Sequence, residues 1–251
     1  MSEFHRRNVV ITGGAGGIGE ACAKVFASEG ANVFILDNIQ EKLDTALKNM
    51  PAGVTAICAD VTDRDDLNTA FAKIEAEGGT DVLVTSAAIV KPAKVLDFDP
   101  DDWAKIIDVN LSGTFHCCQL AGRQMVTKGE GRIITVSSVN GQIANTGRGA
   151  YSCTKGGVDM LTRLLAAELG DQGITANAVA PTPVDTPMIK AVHGPKDRAV
   201  WNSQIPAARY AHPEEVSAAI KFLASDAAAY INGHILNVDG GFMASGILLR
   251  D

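Results

Sequence analysis

Along the chain, short apolar runs alternate with longer stretches of helical periodicity. Residues 8–12, 32–36, 54–59, 81–85, 132–138, 173–180 and 235–238 are nearly continuous apolar runs of strand length. Little alternation inside such runs is expected of strands covered on both faces. The intervening segments predict helices after the glycine-rich residues 13–19 to about Gly30, over 63–77, from Pro100, from Tyr151, and from Pro213 to about Ser225. Asp99 suits an N-cap ahead of Pro100, and Asp101 and Asp102 favour the positive end of that helix. Its apolar stripe is Trp103, Ile106, Ile107, Leu111 and Phe115, interrupted by Asn110, which needs polar partners if buried. On the Tyr151 helix, Val158, Leu161, Leu165 and Leu169 are expected on the core side. Gly156 and Gly157 there each cost about 1 kcal/mol relative to Ala unless close packing requires them. Strand–helix alternation of this kind predicts an α/β doubly wound parallel sheet with helices on both faces.

Composition narrows the class. A chain of 251 residues, 46% hydrophobic and 20% charged, suits one globular domain. A formal net charge of −7 argues against a nucleic-acid surface. No apolar run reaches membrane-spanning length, and residues 1–8 lack a signal-peptide core. The five cysteines (Cys22, Cys58, Cys117, Cys118, Cys153) form no C-x-x-C and are expected to be reduced packing residues of a cytoplasmic protein. The five histidines (His5, His116, His193, His212, His234) have no ligand spacing, so no metal is expected and each is assigned to surface or packing.

The chemistry is concentrated at Tyr151-Ser152-Cys153-Thr154-Lys155, with Ser138 thirteen residues upstream at the end of an apolar run. On a helix, Tyr151 and Lys155 share a face. An ammonium near a phenol lowers a pKa that is otherwise about 10, too high for proton transfer at neutral pH. A hydroxyl, a phenol and an amine therefore converge on one oxygen. The run of glycines follows a strand and opens a helix, the setting for a pyrophosphate at a helix N-terminus. Gly14, Gly16 and Gly19 fit G-x-G-x-x-G, while Gly13, Gly17 and Gly19 fit a second spacing. Asp37 ends the second apolar run, 24 residues after Gly13, where an acid can hold ribose hydroxyls or cap the next helix.

Thr12-Gly13 with Gly17-Ile18-Gly19, together with Asn110, Ser138, Tyr151 and Lys155, resembles the short-chain dehydrogenase/reductase family over nearly the whole chain. The resemblance implies one Rossmann-like domain over residues 1–251, with a substrate-covering insertion at about 187–210. It implies Tyr151 as acid/base, Lys155 on the phenol and the nicotinamide ribose, and Ser138 on the substrate oxygen. Asn110, in Val109-Asn110-Leu111-Ser112-Gly113, would hold a relay water. Cofactor contacts carry over to Gly13, Gly17, Ile18, Gly19, Asp37, Asp60 (adenine amino group), Val61 (adenine ring), Ala87, Tyr151, Lys155, Val184 and Thr186. The acid at Asp37, with no basic residue at Gly14 or Asn38, favours NAD over NADP. Two departures stand out: Thr85-Ser86-Ala87-Ala88 replaces the usual N-N-A-G, and Thr182 replaces the glycine after Pro181.

The expected reaction interconverts a secondary alcohol and a ketone in a small hydroxy or keto compound, a sugar or polyol, or a cyclic ketone. A 3-oxoacyl-thioester reductase and a non-catalytic dinucleotide sensor are the alternatives. Expected partners are a small-molecule substrate and further copies of the chain, a tetramer being favoured, with neither nucleic acid nor membrane. Arg148, three residues before Tyr151, either grips an anionic substrate group or pairs structurally. Asn140, Gln142 and Asn145 offer polar contacts nearby, and Met188 and Trp201 an apolar wall.

Overall fold

The computed structural model describes residues 2–246 and Leu248; the rest of the 1–251 span lies outside the described residues. Within them, β1 (Asn8–Thr12), β2 (Asn32–Asp37), β3 (Val54–Cys58), β4 (Val82–Thr85), β5 (Gly131–Val136), β6 (Ile174–Pro181) and β7 (Ile235–Val238) form one sheet. The order is β3-β2-β1-β4-β5-β6-β7, and every pairing is parallel. All residues of β1, β4 and β6 are buried, as unalternating apolar runs require. The strand order reverses between β1 and β4, whose ends align at Thr12 and Thr85. Loops diverge at such a switch point and leave a crevice at the strand carboxyl ends.

The helices are α1 (Gly17–Ser28), α2 (Gln40–Leu47), α3 (Arg64–Ala76), α4 (Pro100–Ile107), α5 (Gly113–Lys128), α6 (Gly149–Leu169), α7 (Pro187–Val192), α8 (Pro195–Gln204) and α9 (Pro213–Ala224). One core joins Phe26 of α1 and Val216 and Ile220 of α9 to Ile11 and Ile35. The other joins Phe71 and Ile74 of α3 and Met125 of α5 to Leu83 and Ile133. Asp99 caps α4 as expected, accepting from the Asp101 and Asp102 amides, and Asp63 caps α3 in the same way. No helix among the described residues is long and apolar enough to cross a membrane.

Several expectations need correction. β5 ends at Val136, two residues short of Ser138, because the chain turns into the loop that carries the serine. The helix from Pro100 is not uniform: a π-helical turn, Asp108–Ser112, separates α4 from α5. The wider turn shifts the helical phase of α5 relative to α4. The buried face of α5 is therefore Thr114, Cys117, Cys118, Ala121 and Met125, while Trp103 and Phe115 of the expected stripe are exposed. On α6, Val158 is buried as expected, but Leu161, Leu165 and Leu169 are only partly so. Polar Thr154, Lys155, Asp159 and Thr162 take the core side, with the Thr162 hydroxyl 2.7 Å from that of Thr135. Gly157 is explained by close packing, since a Cβ there would lie 2.9 Å from Leu111 Cδ2. Cys22, Cys117 and Cys118 are buried, but Cys58 and Cys153 are exposed, on an edge strand and on the outer face of α6.

Gln124 of α5 joins two layers. Its Oε1 accepts from the Thr80 amide (3.0 Å) and hydroxyl (2.7 Å), and its Nε2 donates to the Phe71 carbonyl (2.9 Å). Gln124→Leu keeps the volume but strands the buried Thr80 groups. At roughly 1–3 kcal/mol per stranded group, a loss of about 2–6 kcal/mol is expected for the two. A denaturant midpoint equal to wild type would show that Thr80 finds another partner.

Candidate active site

The crevice is built by the loops after β1, β4, β5 and β6. After β1, Gly13 has φ +63° and Gly17 φ +55°, conformations that favour glycine. A Cβ on Gly19 would sit 2.2 Å from the Gly13 carbonyl oxygen, so only glycine lets α1 start so close to the strand. By contrast, a Cβ on Gly16 would meet nothing within 4 Å. Gly13, Gly17 and Gly19, the second spacing, are all constrained; of the first spacing Gly14 is constrained as well, since a Cβ there would lie 2.6 Å from Ile35 Cβ, and Gly16 is free. Gly16 is the N-cap of α1 and supplies no side-chain cap, so the first amides of this twelve-residue helix stay available. This bare cradle fits a dinucleotide pyrophosphate.

Farther along the sheet edge, Asp37 closes β2 and its Oδ1 accepts from the Ile39 amide (3.3 Å). It does not cap α2, whose N-cap is Ile39. Asp60 Oδ1 accepts from the Thr62 amide (2.8 Å) and hydroxyl (2.7 Å), and its Oδ2 from Asn38 Nδ2 (3.0 Å). Burial pushes its carboxyl up, but these bonds and Lys105 outweigh burial and leave its pKa lowered. Val61 is buried against Gly113, where a Cβ would come within 2.7 Å of Val61 Cγ2. Ala87 packs on Gly13, and its amide donates to Thr12 Oγ1 (3.2 Å). Ile18, Val184 and Thr186 line one cleft, and Thr186 also caps α7.

The catalytic candidates lie on the β5 loop and α6. Ser138 is extended at φ −166°; its Oγ donates to the Pro181 carbonyl (3.4 Å) and accepts from the Asn140 amide (3.2 Å). Tyr151 lies in the first turn of α6, and Lys155 is 3% exposed. The Lys155 Nζ donates to the Val136 carbonyl (2.7 Å) and lies 5.6 Å from the Tyr151 ring centre. Burial drives its pKa down to about 8, with Asp159 opposing. Burial also raises the Tyr151 phenol, against the Ser138 hydroxyl and the Arg148 charge. In the protein alone, burial outweighs the Ser138 hydroxyl and the Arg148 charge and holds the phenol above its ordinary value.

Asn110 is fully buried in the π-helical turn. Its Nδ2 donates to the Ile89 carbonyl (2.9 Å) and Thr154 Oγ1 (3.3 Å), and its Oδ1 accepts from the Ile89 amide (2.8 Å). It ties the β4 loop to α6 with both amide hydrogens in use.

One cleft brings together Ser138, Asn140, Arg148, Tyr151, Met188 and Trp201, as expected, and also His193. His193 is a packing residue, 7% exposed, and is also bonded to Arg148 and to Tyr210 OH. Only the folding of 187–210 over the strand ends puts it there, so no spacing in the sequence marks it. Gln142 is not in the cleft but bonds Asn237 Oδ1 (2.7 Å), and Asn145 bonds Asn140. No group of three or more His, Cys, Asp or Glu side chains among the described residues could hold a metal.

A parallel doubly wound sheet with a glycine cradle at its switch point and a Ser–Tyr–Lys set beside it defines a dinucleotide-dependent oxidoreductase. The family description matching residues 13–243 is "Enoyl-(Acyl carrier protein) reductase". A 3-oxoacyl-[acyl-carrier-protein] reductase of Thermotoga maritima is 39% identical over 93% of this chain and 96% of its own. A cis-4-hydroxycyclohexanecarboxylate dehydrogenase of Sinomonas cyclohexanicum is 41% identical over 96% of this chain and 98% of its own. A gluconate 5-dehydrogenase of Burkholderia cenocepacia, solved with NADP and tartrate, superposes with TM-score 0.91 at 34% identity, covering 96% of this chain and 97% of that one. The chain belongs to the short-chain dehydrogenase/reductase family, oxidoreductases that use a nicotinamide dinucleotide on CH–OH and C=O groups.

Burying Lys155 has a consequence for stability. Its proton is held more weakly in the folded chain (about 8) than at its ordinary value of 10.5. Between these pH values the unfolded chain carries the proton and the folded chain does not, so this residue's contribution rises with pH from 8 to 10.5. Below 8 it is a constant cost, on the order of 3 kcal/mol at about 1.4 kcal/mol per pH unit. Lys155→Met removes that cost. Its stability relative to wild type should be greatest below pH 8 and decline steadily as pH rises to 10.5. A difference independent of pH, measured by urea unfolding, would contradict the assignment.

Proposed function

We propose that the protein is an NAD(H)-dependent dehydrogenase that interconverts a small secondary alcohol and its ketone. The observation that carries this reading is the meeting of Ser138 and Tyr151 on one cleft wall, with the buried Lys155 beside the Tyr151 ring. Ser138 holds the substrate oxygen, and Tyr151 gives or takes its proton. A phenol raised by burial keeps its proton at neutral pH, the form that donates to a ketone oxygen. In the opposite direction the phenolate is needed, and the Lys155 ammonium favours it. A nicotinamide dinucleotide, when bound, supplies or accepts the hydride. Gly13, Gly17, Ile18 and Gly19 cradle its pyrophosphate, and Asp37 holds the adenosine ribose. Asp60, Val61 and Ala87 line the adenine side, and Val184, Thr186, Tyr151 and Lys155 the nicotinamide side. Asn110 serves the proton relay, as the family resemblance implies.

Residues 187–210, which contain α7 and α8, cover the substrate, and Met188, His193 and Trp201 supply its wall. Matched proteins whose names include a cyclic hydroxycarboxylate and gluconate support a small polar substrate. The Thermotoga relative keeps a 3-oxoacyl thioester as the second reading. We place the protein in the cytoplasm, in keeping with its free cysteines. Phe115 on α5 and Met160 and Leu164 on α6 are exposed, which supports assembly into a homo-oligomer, a tetramer by resemblance.

Tyr151→Phe should reduce turnover by about 10²–10⁴-fold on a panel of secondary alcohols and ketones followed at the NADH absorbance, while NADH binding persists. A variant that keeps more than roughly a tenth of the wild-type rate would remove Tyr151 from the chemistry. Asp37 sets the cofactor: its carboxylate repels a 2′-phosphate. Wild type should prefer NAD, and Asp37→Ala should narrow that preference. Equal use of NADH and NADPH by wild type would refute the cofactor assignment.

A further inference from the structure

The substrate cleft holds a cation that no acid among the described residues neutralises. Arg148 is half-buried there, and among the described residues no carboxylate lies within ion-pair distance of it. The neighbouring Arg198 is different: it pairs with Asp185, and its guanidinium lies 4.4 Å from the Tyr210 ring centre.

What Arg148 has instead is an orienting chain. Its Nη2 donates to His193 Nε2. A guanidinium only donates, so Nε2 is the acceptor and the ring proton sits on Nδ1, which donates to Tyr210 OH (2.8 Å). The imidazole stacks on Trp201 with ring centres 6.4 Å apart and an interplanar angle of 16°. Burial, then the Arg148 charge, lowers the His193 pKa, so the ring stays neutral and aims the guanidinium without cancelling it. One of the five guanidinium N–H groups is accounted for by His193. Arg148 also stands one helical turn before Tyr151, close enough for one small molecule to reach both.

We propose that Arg148, oriented by His193 and Tyr210, is the carboxylate-binding residue of this cleft, and that the substrate is a hydroxycarboxylate or the matching oxocarboxylate. A single unpaired guanidinium fork suits one planar monoanion. A phosphate dianion would call for a second free cation, and Arg198 is committed to Asp185. This inference rests on the alcohol–ketone reading above and adds the charge of the substrate.

The test uses the full chain with NADH and matched pairs of small cyclic ketones, each bearing either a carboxylate or the neutral carboxamide. Wild type should favour the carboxylate in kcat/KM by about tenfold or more, the scale of a hydrogen bond to a charged group. Arg148→Gln should collapse that ratio, Arg148→Lys should restore it in part, and His193→Gln should lower it while leaving Arg148 in place. Binding gives a second readout independent of turnover: cyclohexanecarboxylate, but not cyclohexanecarboxamide, should raise the melting temperature of the NADH complex, and Arg148→Gln should abolish the difference. A wild type with no charge preference in either readout, or an Arg148→Gln variant that loses the same factor on both members of each pair, overturns the subsite. The oxidoreductase reading fails separately, if wild type reduces neither member of any pair with NADH.

Discussion

The active-site side of the molecule depends on one buried ammonium. Lys155 Nζ is fixed on the Val136 carbonyl, the last of β5, so α6 lies across the end of that strand at a set height. The backbone is tied in the same place: the Ser137 hydroxyl donates to the Lys155 carbonyl at 3.3 Å, and a Cβ on Gly141 would come within 2.7 Å of the Lys155 carbonyl carbon. Loop and helix therefore behave as one piece, and the distance between Ser138 and Tyr151 is a property of that piece. The same contact makes Lys155 costly, because burial of a charge is only partly offset by one carbonyl. The apolar cores on both faces of the sheet carry that cost.

The cofactor side is held by backbone more than by side chains. Thr12 Oγ1 accepts from the amides of Ser86 and Ala87, both at 3.2 Å, which locks the β4 loop onto the glycine loop. That explains why Thr85-Ser86-Ala87-Ala88 serves where the family usually has two asparagines and a glycine. The positions are set by amides that any residue offers. The buried Thr85 hydroxyl has no hydrogen-bond partner among the described residues. Asn110 completes the frame by joining Ile89 to Thr154, so cofactor loop and catalytic helix share a support inside the π-helical turn.

Much of this was legible in the sequence because local rules carried it. Unalternating runs marked the strands, Asp99-Pro100 opened α4, and glycines at 13, 17 and 19 stood where the backbone demanded them. The misreadings were of features that tertiary structure decides. Nothing at 108–112 announces the extra width of that turn, and one shift in phase moved Phe115 from the expected core to the surface. The inward face of α6 is polar because it serves the site, so Leu161, Leu165 and Leu169 misled. His193 stands in a segment whose composition carries no period, and it becomes informative only once Arg148 and Tyr210 are beside it.

Of the charges at the start of and along α6, Arg148 acts directly on the phenol. Arg148, three residues before Tyr151, pulls its pKa down, while burial raises it more. Lys155 would lose its own proton still more readily without Asp159, four residues further on, which favours the charged ammonium. Asp159 is itself raised by burial, against Ser137, Arg163 and Lys155, and its Oδ1 has no hydrogen-bond partner among the described residues. The helix thus carries a balance in which each charge is made tolerable by the next. An anion on Arg148 alters that balance in one direction: it screens the guanidinium from the phenol, which then holds its proton more firmly. Burial already keeps the phenol in the donating form, and an anion on Arg148 acts in the same direction as burial.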